Sequence, residues 1–225
     1  MDKLTTWIAS LHDLTSSLAS TVEYRNLRAS FASEVGRQIM SAASISQGRE
    51  NYCIYGIWLD GHDTPIYIGQ TMQAERRLWD LPIGESHHLA NSFPPEIWKK
   101  IVIIRWYDAL TEESSLQDLI LAGISKGVIG LSLEYFLQSK YKPLVNCNRR
   151  RRDGKWQEKD IGKSKSRGSL MISDIATVCA EILDIWLELS EIDVVDRVSV
   201  SHSFGGVVFP SQMLSQRIDS EARQY

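Results

Sequence analysis

The sequence predicts an α+β fold: a small antiparallel β-sheet flanked by helices, with an N-terminal helical hairpin and a C-terminal helix plus small β-hairpin. Three observations predict it. Two short runs of aromatic and β-branched residues, 52–59 and 65–69, bracket the turn cluster Gly61-His62-Asp63-Thr64-Pro65 and read as a strand pair. A third apolar run, IVIIRWY from Ile101 to Tyr107, reads as a strand covered on both sides. Around these, apolar residues recur at three- and four-residue steps, the period of a helix with one buried face. At 225 residues the chain is long enough to bury a substantial core.

In chain order, Leu4, Trp7, Ile8, Leu11, Leu14 and Leu18 mark an amphipathic helix to about residue 20. Leu27, Phe31, Val35 and Ile39 mark a second, to about Ile45, and the two are expected to pair. Polar residues 44–50 break the pattern. After the strand pair, a helix following Thr71 carries Arg76, Arg77, Leu78 and Trp79 and ends at Pro82 and Gly84; a short helix is expected near Pro95 to Lys100. Thr111 is the expected N-cap of a helix to about Lys126, and a second runs from Ile129 to Tyr141, where Pro143 stops it. The basic stretch after Asn146 reads as a loop or extended arm. Met171, Ile175, Val178, Ile182, Trp186 and Leu189 give a strongly periodic helix. Val194–Val200 and Val207–Phe209 are expected as a last hairpin, with a fraying polar tail from Ser211.

Hydrophobic residues make up 43% and charged residues 24% of the chain, a balance that excludes disordered and membrane classes. No apolar run approaches the roughly 18 residues that span a bilayer. The first residues lack a signal-peptide layout, and the three dispersed cysteines suggest neither a disulfide framework nor a zinc site. A cytoplasmic location is expected. The net charge of -3 hides a local excess: residues 147–168 carry nine basic and three acidic side chains. Such a patch suits phosphate contact.

The strand pair carries a tyrosine on each member, in Cys53-Ile54-Tyr55 and Tyr67-Ile68-Gly69. Arg77 follows Gly69 on the next helix, and Glu134, Pro143 and Asn146 follow in LEYFLQSKYKPLVN. Together these residues resemble the GIY-YIG nuclease family over about residues 49–147. The resemblance implies a catalytic core at 49–147, with a helical extension at 1–48 and a basic arm and C-terminal extension at 148–225. It implies phosphodiester hydrolysis, with Tyr55, Tyr67, Arg77, Glu134 and Asn146 as site residues. Glu134 would hold one Mg²⁺, a cation suited to a carboxylate, waters and substrate phosphate, and Arg77 would face the phosphate.

The proton acceptor stays open. Tyr55 fills that role by the resemblance, although a phenol near pKa 10 is a poor base unless a neighbouring cation lowers it. Cys53 stands in place of the family's first glycine, and Leu81 where many members carry a histidine; His87 or His88 is the rival base. Arg149, Arg150, Arg151, Arg152, Lys155 and Trp156 are the expected DNA contacts. Ser201-His202-Ser203-Phe204-Gly205-Gly206 looks like a hydrolase nucleophile elbow, but no histidine follows His202 to complete a triad.

The implied function is a sequence-specific, restriction-like endonuclease on double-stranded DNA. A homodimer, and a cognate methyltransferase acting on the same site, are its expected partners. A nuclease selective for branched or damaged DNA and a non-catalytic DNA-binding protein are the alternatives.

Overall fold

The computed structural model describes residues 3–14, 16–46, 51–84, 89–111, 113–150, 152–153, 155–193 and 196–222. Helices α1 (Lys3–Leu14) and α2 (Leu18–Ala42) form the expected helical hairpin. Ser17 caps α2: its hydroxyl accepts from the Ser20 N–H at 3.0 Å, satisfying a donor that the first turn leaves unpaired. The strand pair is β1 (Cys53–Leu59) and β2 (Tyr67–Thr71), followed by α3 (Ala74–Asp80) and the short α4 (Leu89–Ser92).

The third strand, β3 (Trp98–Ile104), starts earlier than its apolar run. Lys100 lies inside it and is buried, because its ammonium donates to Ser190 O and Ile192 O at the end of a helix on the sheet's far face. The short α5 (Trp106–Ala109) follows. Next come α6 (Ser114–Leu121) and α7 (Lys126–Tyr141). Thr111 is not the cap of α6; its hydroxyl donates back to Tyr107 O, and Glu113 occupies the cap position. Helix α7 starts on Ser125 and ends where Lys142 turns left-handed at φ 48° before Pro143.

The C-terminal third differs most from expectation. After α8 (Leu144–Cys147), the basic stretch is not a loop or extended arm but a hairpin of β4 (Asn148–Arg150) and β5 (Trp156–Glu158). Helices α9 (Arg167–Leu170) and α10 (Ala176–Glu191) follow. Strands β6 (Ser199–His202) and β7 (Gly205–Val208) form the last hairpin, so Gly205 and Gly206 are strand residues rather than the turn. The polar tail is helix α11 (Pro210–Ala222), held at its start by buried Phe209 and Met213.

These strands make one five-stranded antiparallel sheet in the order β2-β1-β3-β7-β6. Residues from 1–48 pack on it and residues from 148–225 complete it. Side chains alternate between two cores, as the pleat requires. Tyr55, Ile57, Ile101, Ile103 and Val208 face α2 and α3. Ile54, Trp58, Val102, Ile104 and Val207 face α7 and α10, where Trp186 and Leu133 lie. Among the described residues no helix is long and apolar enough to cross a membrane.

The closure of α2 onto β7 depends on a missing side chain. A Cβ on Gly206 would lie 2.5 Å from Ala42 O and 3.0 Å from Val200 O. Backbone cannot move aside as a flexible side chain can. Gly206→Ala is therefore expected to cost about 1–3 kcal/mol of stability, read as a lowered midpoint in urea unfolding. An unchanged midpoint would show that the two backbones separate freely.

Candidate active site

Five elements bring Tyr55, Tyr67, Arg77, Glu134 and Asn146 together. Tyr55 in β1 pairs in register with Gly69 in β2, so both tyrosine rings lie over a position without a side chain. A Cβ on Gly69 would come within 2.8 Å of the Tyr55 ring and hydroxyl and 2.9 Å of Tyr67. The glycine makes room for the pair, whose ring centroids are 6.1 Å apart. From α3, Arg77 donates through Nε to the Tyr55 hydroxyl at 3.3 Å. Tyr67 also hydrogen-bonds Tyr55.

Glu134 enters from α7. Ile129, Leu133 and Leu137 of that helix face the apolar core, which leaves Glu134 at the border of the sheet beside β2. Its Oε1 accepts from Gln138 Nε2 at 3.0 Å, and the same amide donates to Ile68 O at 3.1 Å. Gln138 thus fixes the carboxylate to the strand. The signal for it in the sequence is the i, i+4 spacing on one helix.

Asn146, on α8, uses both ends of its amide on a single residue. Its Oδ1 accepts from Ile68 N at 2.8 Å, and its Nδ2 donates to Ile68 O at 3.0 Å. With Val145 N donating to Ile66 O at 2.9 Å, α8 supplies the outer edge of β2 with what another strand would have given. Asn146 accordingly positions Tyr67 through the backbone.

The electrostatics are those of a largely buried cluster around one guanidinium. Burial pushes the Tyr55 phenol up, opposed by Arg77 and by the Tyr67 hydrogen bond. Burial also raises Tyr67, and there Tyr55 and Glu134 add to the shift. The Glu134 carboxyl is pushed from its ordinary 4.5 to about 7, chiefly by burial, with Arg77 and Gln138 pulling the other way.

Beside the cluster, Gln70, Thr71, Met72, Gln73, Arg76 and Arg77 line an open cleft of about 440 Å³. Arg77 therefore belongs to both the buried cluster and the cleft wall. Arg76, exposed on the same cleft, is a second guanidinium that the spacing argument passes over.

His87 and His88 lie outside the described residues, as does Arg151. Arg149 and Arg150 stand in β4 and Trp156 in β5, while Arg152 and Lys155 are exposed between the two strands. Among the described residues no group of three or more histidine, cysteine, aspartate or glutamate side chains could hold a metal ion. A single carboxylate, Glu134, is the hard oxygen donor of the cluster, and among the described residues no hydrogen bond reaches its second oxygen. No family profile, curated protein or solved structure matches the chain.

The raised carboxyl has a consequence for stability. Between pH 4.5 and about 7 the folded protein keeps a proton on Glu134 that the unfolded chain has released, so stability falls as pH rises through that window. Glu134→Gln removes this slope. The variant's thermal midpoint relative to wild type should climb from pH 4.5 to pH 7.5, and parallel profiles would show that Glu134 titrates like a free side chain.

Proposed function

We propose that the chain is a metal-dependent endonuclease of GIY-YIG type that hydrolyses phosphodiester bonds in double-stranded DNA, sequence-specifically and in the manner of a restriction enzyme. The observation that supports it is the convergence of Tyr55, Tyr67, Arg77 and Glu134 beside an open, arginine-lined cleft. These are residues from four elements, spread over eighty positions, with the chemistry that phosphoryl transfer needs. A core built only for packing has no use for a guanidinium and a carboxyl against two buried phenols.

Arg77 offers the phosphate a forked, charge-assisted donor, and Arg76 adds positive charge at the mouth of the cleft. Glu134 suits one Mg²⁺, which tolerates a single carboxylate when waters and substrate phosphate complete its shell. When bound, that cation would neutralise phosphoryl and leaving-group charge. Of the two phenols, Tyr55 is the one whose ionised form receives both Arg77 and Tyr67, and it takes the role of proton acceptor. Asn146 and Gln138 hold the strand and the carboxylate in place. Cutting both strands of a duplex calls for two such sites, hence a homodimer or successive action by monomers.

Supercoiled and linear DNA incubated with the purified protein, in Mg²⁺ or in EDTA, tests the reading. Cutting is expected in Mg²⁺ alone. Glu134→Ala should abolish it while DNA binding in a mobility-shift assay is kept, and Tyr55→Phe should slow it by about 10²–10⁴-fold, the usual worth of a positioned proton acceptor. Equal cutting by wild type and Glu134→Ala, or cutting in EDTA, would overturn the proposal.

A further inference from the structure

The basic stretch is a ribbon with an open outer part and a fixed root. Arg152, Asp153, Lys155, Gln157 and Glu158 are exposed. Residues 148–159 carry six basic and two acidic side chains. At the root, Lys159 N donates to Cys147 O at 2.5 Å and Asn148 Nδ2 to Leu144 O at 2.8 Å. One residue further in, Asn146 binds Ile68. The ribbon is thus tied through α8 to the strand that carries Tyr67.

Resting on the nuclease reading, we infer that the β4–β5 ribbon enters the major groove and that Gln157 reads a base edge there. The dimensions suit this groove: two paired strands lie about 4.8 Å apart, and the major groove, about 12 Å wide, admits such a ribbon where the minor groove, about 6 Å wide, does not. The charge suits the phosphate walls on either side. Arginine and lysine contacts to phosphate give affinity without sequence information; sequence is read at base edges, where arginine pairs with guanine and glutamine with adenine.

On the ribbon, Asn148 is occupied by Leu144 O, and Glu158 sits at the root beside Lys142 and Lys159. Gln157 is in the middle of β5, exposed and opposite Arg149 in register. A glutamine amide matches the N6 and N7 edge of adenine. The fixed root sets the distance between the base pair read and the phosphate at the cleft, so the cut falls at a constant offset from the recognised position.

Selection from a random duplex pool tests this, using Glu134→Ala protein so that bound DNA survives. The pool should yield an enriched motif. Adding Gln157→Ala should erase the preference at one A·T pair, lowering the ratio of selected to random DNA affinity about tenfold, and leave the salt dependence of random-DNA binding unchanged. Replacing that adenine by 7-deazaadenine should weaken the Gln157 protein comparably and leave Gln157→Ala unaffected. An unchanged motif, equal loss on selected and random DNA, or indifference to 7-deazaadenine would overturn the inference. A protein that cuts plasmid but enriches no motif would overturn it and leave the nuclease reading standing; one that neither cuts nor binds would overturn both.

Discussion

The outer edge of β2 is the constraint on which the rest of the candidate site depends. An edge strand presents N–H and C=O groups with no neighbour, and a protein must cover them or risk pairing with another chain. Among the described residues no sixth strand does so. Asn146 satisfies Ile68 as a strand residue would, Val145 adds a backbone bond to Ile66, and Gln138 reaches Ile68 O from α7. The same three contacts set Tyr67 over Gly69, hold Glu134 beside it and root the basic ribbon. Edge protection and site assembly are one set of hydrogen bonds.

Charge then limits what that assembly can hold. One guanidinium stands among two phenols and a carboxyl in surroundings that disfavour ions, which is why all three acids are raised. A single positive charge balances a single negative one at low dielectric. Glu134 and a phenol cannot both ionise without further positive charge, and on the proposed reading an arriving phosphate would make the same demand. Arg76 on the cleft answers part of it from the solvent side, where a guanidinium is cheap to keep.

Much of this was legible in residue types. Tyr55, Tyr67, Arg77 and Glu134 are chemically distinctive and follow local elements whose periods are strong, so their meeting could be anticipated. Helix α10 was equally clear, because Val178, Ile182, Trp186 and Leu189 recur at helical spacing, although the helix starts after Met171 and Ile175. Gln138 was signalled only by its i, i+4 spacing from Glu134 and Asn146 only by the resemblance, and no side-chain pattern encodes the bonds that both make to the Ile68 backbone. The pairing of β3 with β7 was not visible at all: a glycine pair normally signals a turn, and only the approach of Ile103 and Ala42 backbone explains Gly205 and Gly206. Helix α11 hid for the opposite reason, its few apolar anchors sitting at one end of a polar sequence.

The register of β3 against β7 also bears on how the chain is made. Ile103 pairs with Gly206, so the central strand obtains its second neighbour only after nearly all of the described chain has been synthesised. Until then β3 offers an open, apolar edge, the kind of surface that chaperones hold and that aggregates recruit. The ribbon and the cleft precede β7 in order of emergence. The sheet that carries the candidate site is therefore sealed by a strand that follows every residue of that site in the sequence.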